Sequence, residues 1–268
     1  MRRIAILNQK DVVGKTTTAV NLSAAWAASG RRVLLVDLDP QAHATLHLGV
    51  TLERHDLSVY DVLTGSATLA EVSRRVDDSL DLIPAHLDLA AAELELAGVV
   101  GREVVLREKL ADVADDYDAV VVDCPPSLGL LALNALACVD ETLIPLQSHF
   151  LALHGLSKLL ETISLVSQRL NPRLRLTGIV VCMFDGQTRL AAEVVRDAEQ
   201  FLAAQRGRAT PWSDAQVFAT RIRRNVRLAE SPSFGQTIFQ YAADSHGAED
   251  YRRLAAEVWP AAVATRAA

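Results

Sequence analysis

The sequence predicts an α/β fold: one domain whose mainly parallel, twisted sheet carries helices on both faces. Three observations predict it. Short apolar runs alternate with amphipathic helical stretches along the 268 residues, the pattern of linked βαβ units. The first apolar run leads into Gly14-Lys15-Thr16 and then a helix. Two other runs end in acids, Asp37 and Asp39 behind one and Asp123 behind the other. Open parallel sheets bind ligands at the carboxyl ends of their strands, so all three features fall on one edge of the predicted sheet.

Taken in order, Ile4-Ala5-Ile6-Leu7 reads as a buried strand, with a loop from Asn8 onward. Thr17 to Ser29 is alanine-rich and amphipathic and is closed by Gly30, which reads as a helix. Strand, loop, Gly-Lys-Thr, helix is the arrangement of a P-loop, and the fold is read as that of a single-domain P-loop NTPase. Backbone N–H groups and the helix N-terminus present fixed partial positive charge to phosphates. Lys15 adds a full charge for the β- and γ-phosphates, and Thr16 a hydroxyl ligand for Mg²⁺. The loop is also poor in glycine. Gln9, Asp11 and Val12 stand where such loops carry glycine. Valine is strained at positive φ, and Asp11 brings negative charge toward a negative ligand.

Arg32 to Val36 is a second buried strand, running into Asp37-Leu38-Asp39-Pro40. Residues 41–57 read as loop with a short helix. Ser58 to Leu63 and Thr68 to Val76 read as helical, and Leu80 to Pro84 as a short strand. Leu87 to Leu96 and Arg102 to Asp115 are helical. Ala119 to Val122 is the strongest strand signal and leads to Asp123-Cys124-Pro125-Pro126. A helix at Leu128 to Ala137, a strand at Glu141 to Leu146 and a long helix at Phe150 to Arg169 follow. Arg175 to Met183 reads as strand, Arg189 to Ala204 as helix, 205–215 as loop and Ala215 to Ala219 as a last strand. Gly247 to Trp259 closes the domain as a helix. Residues 1–260 are read as one domain and 261–268 as a mobile tail.

Half of the residues are hydrophobic and 22% are charged, with a net charge of −6. That is the composition of a globular chain, and its acidity argues against wholesale coating of nucleic acid. Cys124, Cys138 and Cys182 show no paired spacing, which points to reduced thiols and a cytoplasmic protein rather than a disulfide framework. The N-terminal apolar run is too short for a signal peptide, and no stretch reaches membrane-spanning length.

Four apolar residues followed by Asp123 form a Walker B-type strand, whose carboxylate can hold Mg²⁺ directly or through water. Asp37 and Asp39 lie two apart on an extended segment and can point to the same side. One of them can orient or deprotonate the attacking water.

With these motifs in place, Asn8 to Thr18, Val33 to Thr45 and Val120 to Gly129 resemble the three nucleotide motifs of the ParA/Soj partition ATPases, in the deviant Walker A group that includes MinD. Asn225 to Ser233 resembles a fourth family segment. The resemblance implies that Lys10 is the signature lysine, reaching the partner subunit's nucleotide in an ATP-sandwiched homodimer. It implies a nucleotide cradle of Lys10, Val13, Gly14, Lys15, Thr16 and Thr17, with Lys15 on the phosphates and Thr17 near the α-phosphate. It implies Mg²⁺ at Thr16 and Asp123 with Asp37 nearby, and water orientation by Asp39. ATP and ADP are the implied ligands. A ParB-like protein and non-specific double-stranded DNA are the implied partners, with no membrane partner and a nucleoid-associated place in the cytoplasm. Where the family has glycine, this chain has Asp11 and Val12, and Ala42-His43 replaces Gly-Asn. The first glycine is a close-packing point across the family's dimer. The chain is therefore expected to bind nucleotide but to dimerise and hydrolyse ATP weakly or not at all.

Arg206, Arg208, Arg221, Arg223, Arg224 and Arg227 face one acid, Asp214, within their span. Such a local basic patch suits phosphate contacts without base reading. The resemblance supports DNA binding there, with Arg221, Arg223, Arg224 and Arg227 as the contact residues. The structural alternative is a solvated face held by ion pairs. His43 and His47 lack the helical Glu of a zinc-peptidase motif. The cysteines read as buried structural thiols, and the closing helix as docked on the domain rather than as a membrane anchor.

Overall fold

The structure, a computed structural model, describes residues 1–148 and 152–260. In chain order the elements are β1 (Arg2–Ile6), α1 (Lys15–Ala28), β2 (Val33–Asp37), α2 (His43–His47), α3 (Val59–Thr64), α4 (Leu69–Val72), β3 (Arg74–Asp77), β4 (Leu80–Ile83) and α5 (Leu89–Glu95). They continue with α6 (Val105–Ala111), β5 (Ala119–Asp123), α7 (Leu130–Cys138), β6 (Glu141–Gln147), α8 (Ala152–Arg169), β7 (Arg175–Phe184) and α9 (Arg189–Ala203). The chain closes with β8 (Gln216–Arg223), α10 (Val226–Glu230), α11 (Ile238–Tyr241) and α12 (His246–Val258). The expected tail 261–268, and the first residues of the helix expected from Phe150, lie outside the described residues.

The strands form one eight-stranded sheet in the order β3-β4-β2-β5-β1-β6-β7-β8. Every neighbouring pair is parallel except β3 with β4. The expected α/β architecture is present. Every residue of β2 and β5 is buried, because parallel strands covered on both faces are apolar throughout rather than alternating. Successive residues feed two separate cores. Leu34, Val36, Val120 and Val122 meet one helical layer. Val33, Leu35 and Val121 meet the other, together with α1 and α12. In register, Asp37 and Ile6 each stand beside Asp123, so the three motif-bearing strands end on one line.

Two departures from the sequence reading have physical causes. The helix expected through Val76 stops at Val72, and Arg74–Asp77 becomes an edge strand. A four-residue helix holds little intrinsic stability, while Arg75 gains an ion pair with Asp81 across the β3–β4 pairing. The last strand extends to Arg223 rather than stopping at Ala219. Its polar half is held from α12, where Glu257 accepts the Thr220 N–H at 2.9 Å and Asp250 the Arg223 N–H at 2.9 Å. The same helix packs on α1, with Trp26 Nε1 donating to the Ala255 carbonyl at 3.1 Å and Tyr251 buried beside Thr18. That is the docked closing helix of the sequence reading. Among the described residues no helix is long and apolar enough to cross a membrane.

Candidate nucleotide site

β1 delivers the chain into the loop, and Asn8 fixes where the loop begins. Its Nδ2 donates to the Pro145 carbonyl at 2.7 Å, and its Oδ1 accepts the Lys10 N–H at 3.0 Å. Val13 anchors the far side of the loop at 1% exposure, whereas Val12 projects at 82%. Val12 takes φ 58, a conformation costly for a β-branched residue. Gly14 follows at φ 94 and opens α1. Lys15 folds back over the loop, its Nζ donating to the Lys10 carbonyl at 3.0 Å and lying 3.8 Å from Asp11 Oδ1. The Lys10 side chain is exposed, on the far side of the loop from the main cleft.

Two carboxylates on neighbouring strand ends are treated differently by their surroundings. Asp37 Oδ2 accepts from the Thr45 N–H at 2.8 Å and the Thr45 hydroxyl at 2.7 Å, and Oδ1 from the Asp39 N–H at 3.2 Å. Burial pushes its carboxyl up to about 6, against the opposing pull of the Thr45 bonds. Asp37 is thus a brace for the loop that carries Asp39. Asp39 lines the cleft with Oδ1 accepting the Gln41 N–H at 2.9 Å. Asp123 Oδ2 accepts the Thr16 hydroxyl at 2.7 Å, while Oδ1 is buried with no partner among the described residues. Burial first, and the neighbouring Asp37 charge second, hold this carboxyl well above the usual range. A buried oxygen with no donor, beside a hydroxyl, is a fitting position for a hard cation. Thr16 and Asp123 are the residues that would hold Mg²⁺.

Lys15, Thr16 and Asp39 border a cleft of about 1040 Å³, with Asp37 and Asp123 fully buried behind them. Its first wall is Asp11, Val12 and Gly14 to Thr17, with Asp39, Gln41 and His43. Its second wall comes from the far end of the chain, including Ile222, Arg224, Asn225, Leu228 and Pro232. The segment singled out by resemblance, Asn225 to Ser233, thus faces the P-loop. Met183 and Tyr251 also line the cleft. Met183, at the carboxyl end of β7, was findable by the strand-end rule; Tyr251, inside a helix, carries no such signal.

The arginines divide. Arg223 pairs with Asp250 at 2.6 Å and Glu249 at 2.8 Å, and those carboxylates hold its guanidinium protonated well above the ordinary range. Arg221 is half-buried, 3.5 Å from Glu199. Arg227 is exposed and pairs with Glu230 at 2.8 Å. Arg224 opens on the cleft. Counting acids within the span overlooked those brought in by α9 and α12. The three cysteines are free and buried, and burial pushes the Cys138 and Cys182 thiols up to about 12. His47 is buried against Ser231, while His43 is exposed.

The family described as AAA domain matches residues 1–176. The chromosome-partitioning ATPase Soj of Thermus thermophilus is 50% identical over 258 residues, covering 96% of this chain and 95% of that protein. The sporulation initiation inhibitor protein Soj of Bacillus subtilis is 44% identical, covering 95% and 97%. The solved structure of cobyrinic acid a,c-diamide synthase from Mycobacterium smegmatis, with bound ADP and magnesium, superposes with a TM-score of 0.79 at 38% identity, covering 95% and 92%. Sequence, fold and strand-end motifs agree: the chain belongs to the Soj/ParA family of chromosome-partitioning ATPases.

Proposed function

We propose that this chain is an ATP-driven partition switch. It binds ATP with Mg²⁺, closes on a second copy of itself around the nucleotide, and in that state holds double-stranded DNA without reading sequence. A ParB-like partner stimulates hydrolysis and release, and the cycle runs in the cytoplasm on the nucleoid. Differential affinity of the two nucleotide states for DNA and partner would drive it.

The observation that carries this reading is the convergence of Lys15 and Thr16, of Asp39 and of Asp123, from three separate motifs, at one end of the sheet. Lys15 leaves the Lys10 carbonyl for phosphate oxygens. Thr16 and the unpartnered Asp123 oxygen would hold Mg²⁺, whose charge would offset that of the phosphates. Asp39, steadied by the Asp37 brace, accepts a hydrogen bond from the attacking water and orients it. Lys10, exposed on its own subunit, is free to reach a partner's nucleotide. The packing of α12 on α1 supports a switch without a MinD-like membrane anchor. For DNA, exposure favours Arg224 and Arg227 over Arg221 and Arg223 as phosphate contacts, and of the two Arg227 is already paired with Glu230.

A second reading, a nucleotide-binding module with little turnover, is favoured by Asp11 and Val12. Asp11 Oδ1 stands 3.8 Å from the ammonium meant for phosphates, and Val12 is strained at φ 58. Lys15→Ala tests what both readings share. It should abolish ATP and ADP binding by calorimetry, and parent-like affinity would overturn the assignment.

A further inference from the structure

α7 starts seven residues after Asp123 and has an unusual N-terminus. Its cap position is Gly129, and no side chain of its own caps the exposed N–H groups. Such groups carry partial positive charge and need an acceptor. The acceptor comes from elsewhere in the chain: Glu93 on α5 accepts the Leu131 N–H through Oε1 at 3.2 Å. The carboxylate lies so close to Gly129 that a Cβ there would overlap Oε1 and fall 3.2 Å from Cδ and 3.3 Å from Oε2. Gly129 sits at φ −75, which any residue adopts. What a side chain at this position would meet is the carboxylate, since the backbone angle itself does not call for glycine.

The loop between Asp123 and Gly129 is fixed at one end by the sheet and at the other by this contact. At its start Asp123 holds the Thr16 hydroxyl, and within it Pro126 lines the cleft. We propose that Glu93 is a positioning residue for nucleotide hydrolysis: its carboxylate, seated in the space left by Gly129, clasps the α7 N-terminus and so holds the Asp123–Gly129 loop in register with the P-loop. This rests on the ATPase reading above. Small misplacements of catalytic groups are costly to rate, about 100-fold for 1 Å, while binding through Lys15 and the loop amides does not pass through the clasp.

The two residues form a testable pair. Glu93→Ala removes the acceptor. Gly129→Ala leaves the acid in the chain but pushes its flexible end out of its seat. Each should lower kcat about 10-fold with KM within about twofold, since loss of alignment acts on the transition state. The double variant should be no worse than either single one, because the added methyl fills a space already vacated. Glu93→Gln keeps an acceptor oxygen and should recover most of the rate, which a mere loss of packing would not predict. Amide hydrogen exchange on the same proteins should show Leu131 deprotected in both single variants and protected in Glu93→Gln. Multiplying losses in the double variant, unchanged kcat in Glu93→Ala, or equal Leu131 protection in Glu93→Ala and the parent would each overturn the proposal. A parent without turnover would instead sink the ATPase reading, and Leu131 exchange would then decide whether the clasp exists.

Discussion

The two walls of the cleft are built on opposite principles. The first wall is made of strand ends and the loops that leave them. Its polar groups are few and individually placed: the Lys15 ammonium, the Thr16 hydroxyl on Asp123, and Asp37 saturated by Thr45 and Asp39. The second wall is a run of short helices after β8, capped locally by residues such as Asn225, whose Oδ1 accepts the Arg227 N–H at 2.8 Å, and tied to α1 and α2 by Asn21, whose Oδ1 accepts the Ile238 N–H at 2.8 Å, and by Ser231 beside His47. The first wall can do phosphate chemistry because the sheet fixes its atoms. The second can adapt to a ligand or a partner because its elements are short and each held at few points.

Restoring glycine at both Asp11 and Val12 changes the first wall alone and carries the largest expected effect. An unscreened carboxylate about 4 Å from a triphosphate charge costs roughly 4 kcal/mol at an effective dielectric near 20. Lys15 and Lys10 offset part of that. The double variant should therefore gain about 100-fold in ATP turnover, equivalent to about 2.7 kcal/mol of barrier. It should also dimerise with ATP more strongly than the parent. Phosphate release and light scattering read the two effects. A parent already equal to the double variant in both assays would mean that the first wall tolerates these residues.

The next effect belongs to the second wall. Arg224→Ala with Arg227→Ala should lower duplex DNA affinity about 10-fold at moderate salt and reduce the log–log salt slope by up to about 1.8, at about 0.9 per phosphate contact. Arg227 already pairs with Glu230, so its share should be the smaller. An unchanged slope would mean that this wall is a solvated face and that DNA binds elsewhere or not at all.

The contrast also explains what could be read before folding. Gly14-Lys15-Thr16 and Asp123 were legible because a phosphate cradle and a strand-end acid each need particular residues at short spacing. The division of labour between Asp37 and Asp123 was not legible, since two buried acids on adjacent strands look alike until Thr45 is seen to satisfy one of them. The reach of β8 to Arg223 was hidden because its polar half is held by Glu257 and Asp250. Those acids lie more than two dozen residues downstream, beyond any local pattern. For the same reason the basic patch read as freer than it is. Glu93 carried no signal either, because its purpose appears only where Gly129 comes to lie against it.

The smallest expected effect comes from His47, where the two walls touch. Its ring lies 3.5 Å from Ser231 and is linked to the Gln236 backbone. Burial lowers its pKa from 6.5 to about 4, so the folded protein keeps it neutral while an unfolded chain protonates it below 6.5. The unfolded state then binds more protons between these values. His47 contributes no pH dependence above 6.5, and its contribution to stability falls as pH drops from 6.5 toward 4, by about 1.4 kcal/mol per unit on the steep part. Asp37 works the other way. Its carboxyl is raised from 3.8 to about 6, so the folded state binds the extra proton there and gains stability as pH falls through that window. In the parent the His47 slope therefore opposes those of Asp37 and of Asp123, whose carboxyl burial also raises. His47→Gln removes the first of these slopes. At pH 8 the variant should be about 1 kcal/mol less stable, from the lost contact to the second wall. As pH falls below 6.5 that gap should close and then reverse. Urea unfolding of both proteins from pH 8 to 4.5 measures it, and a gap constant with pH would show that His47 is not held neutral between the walls.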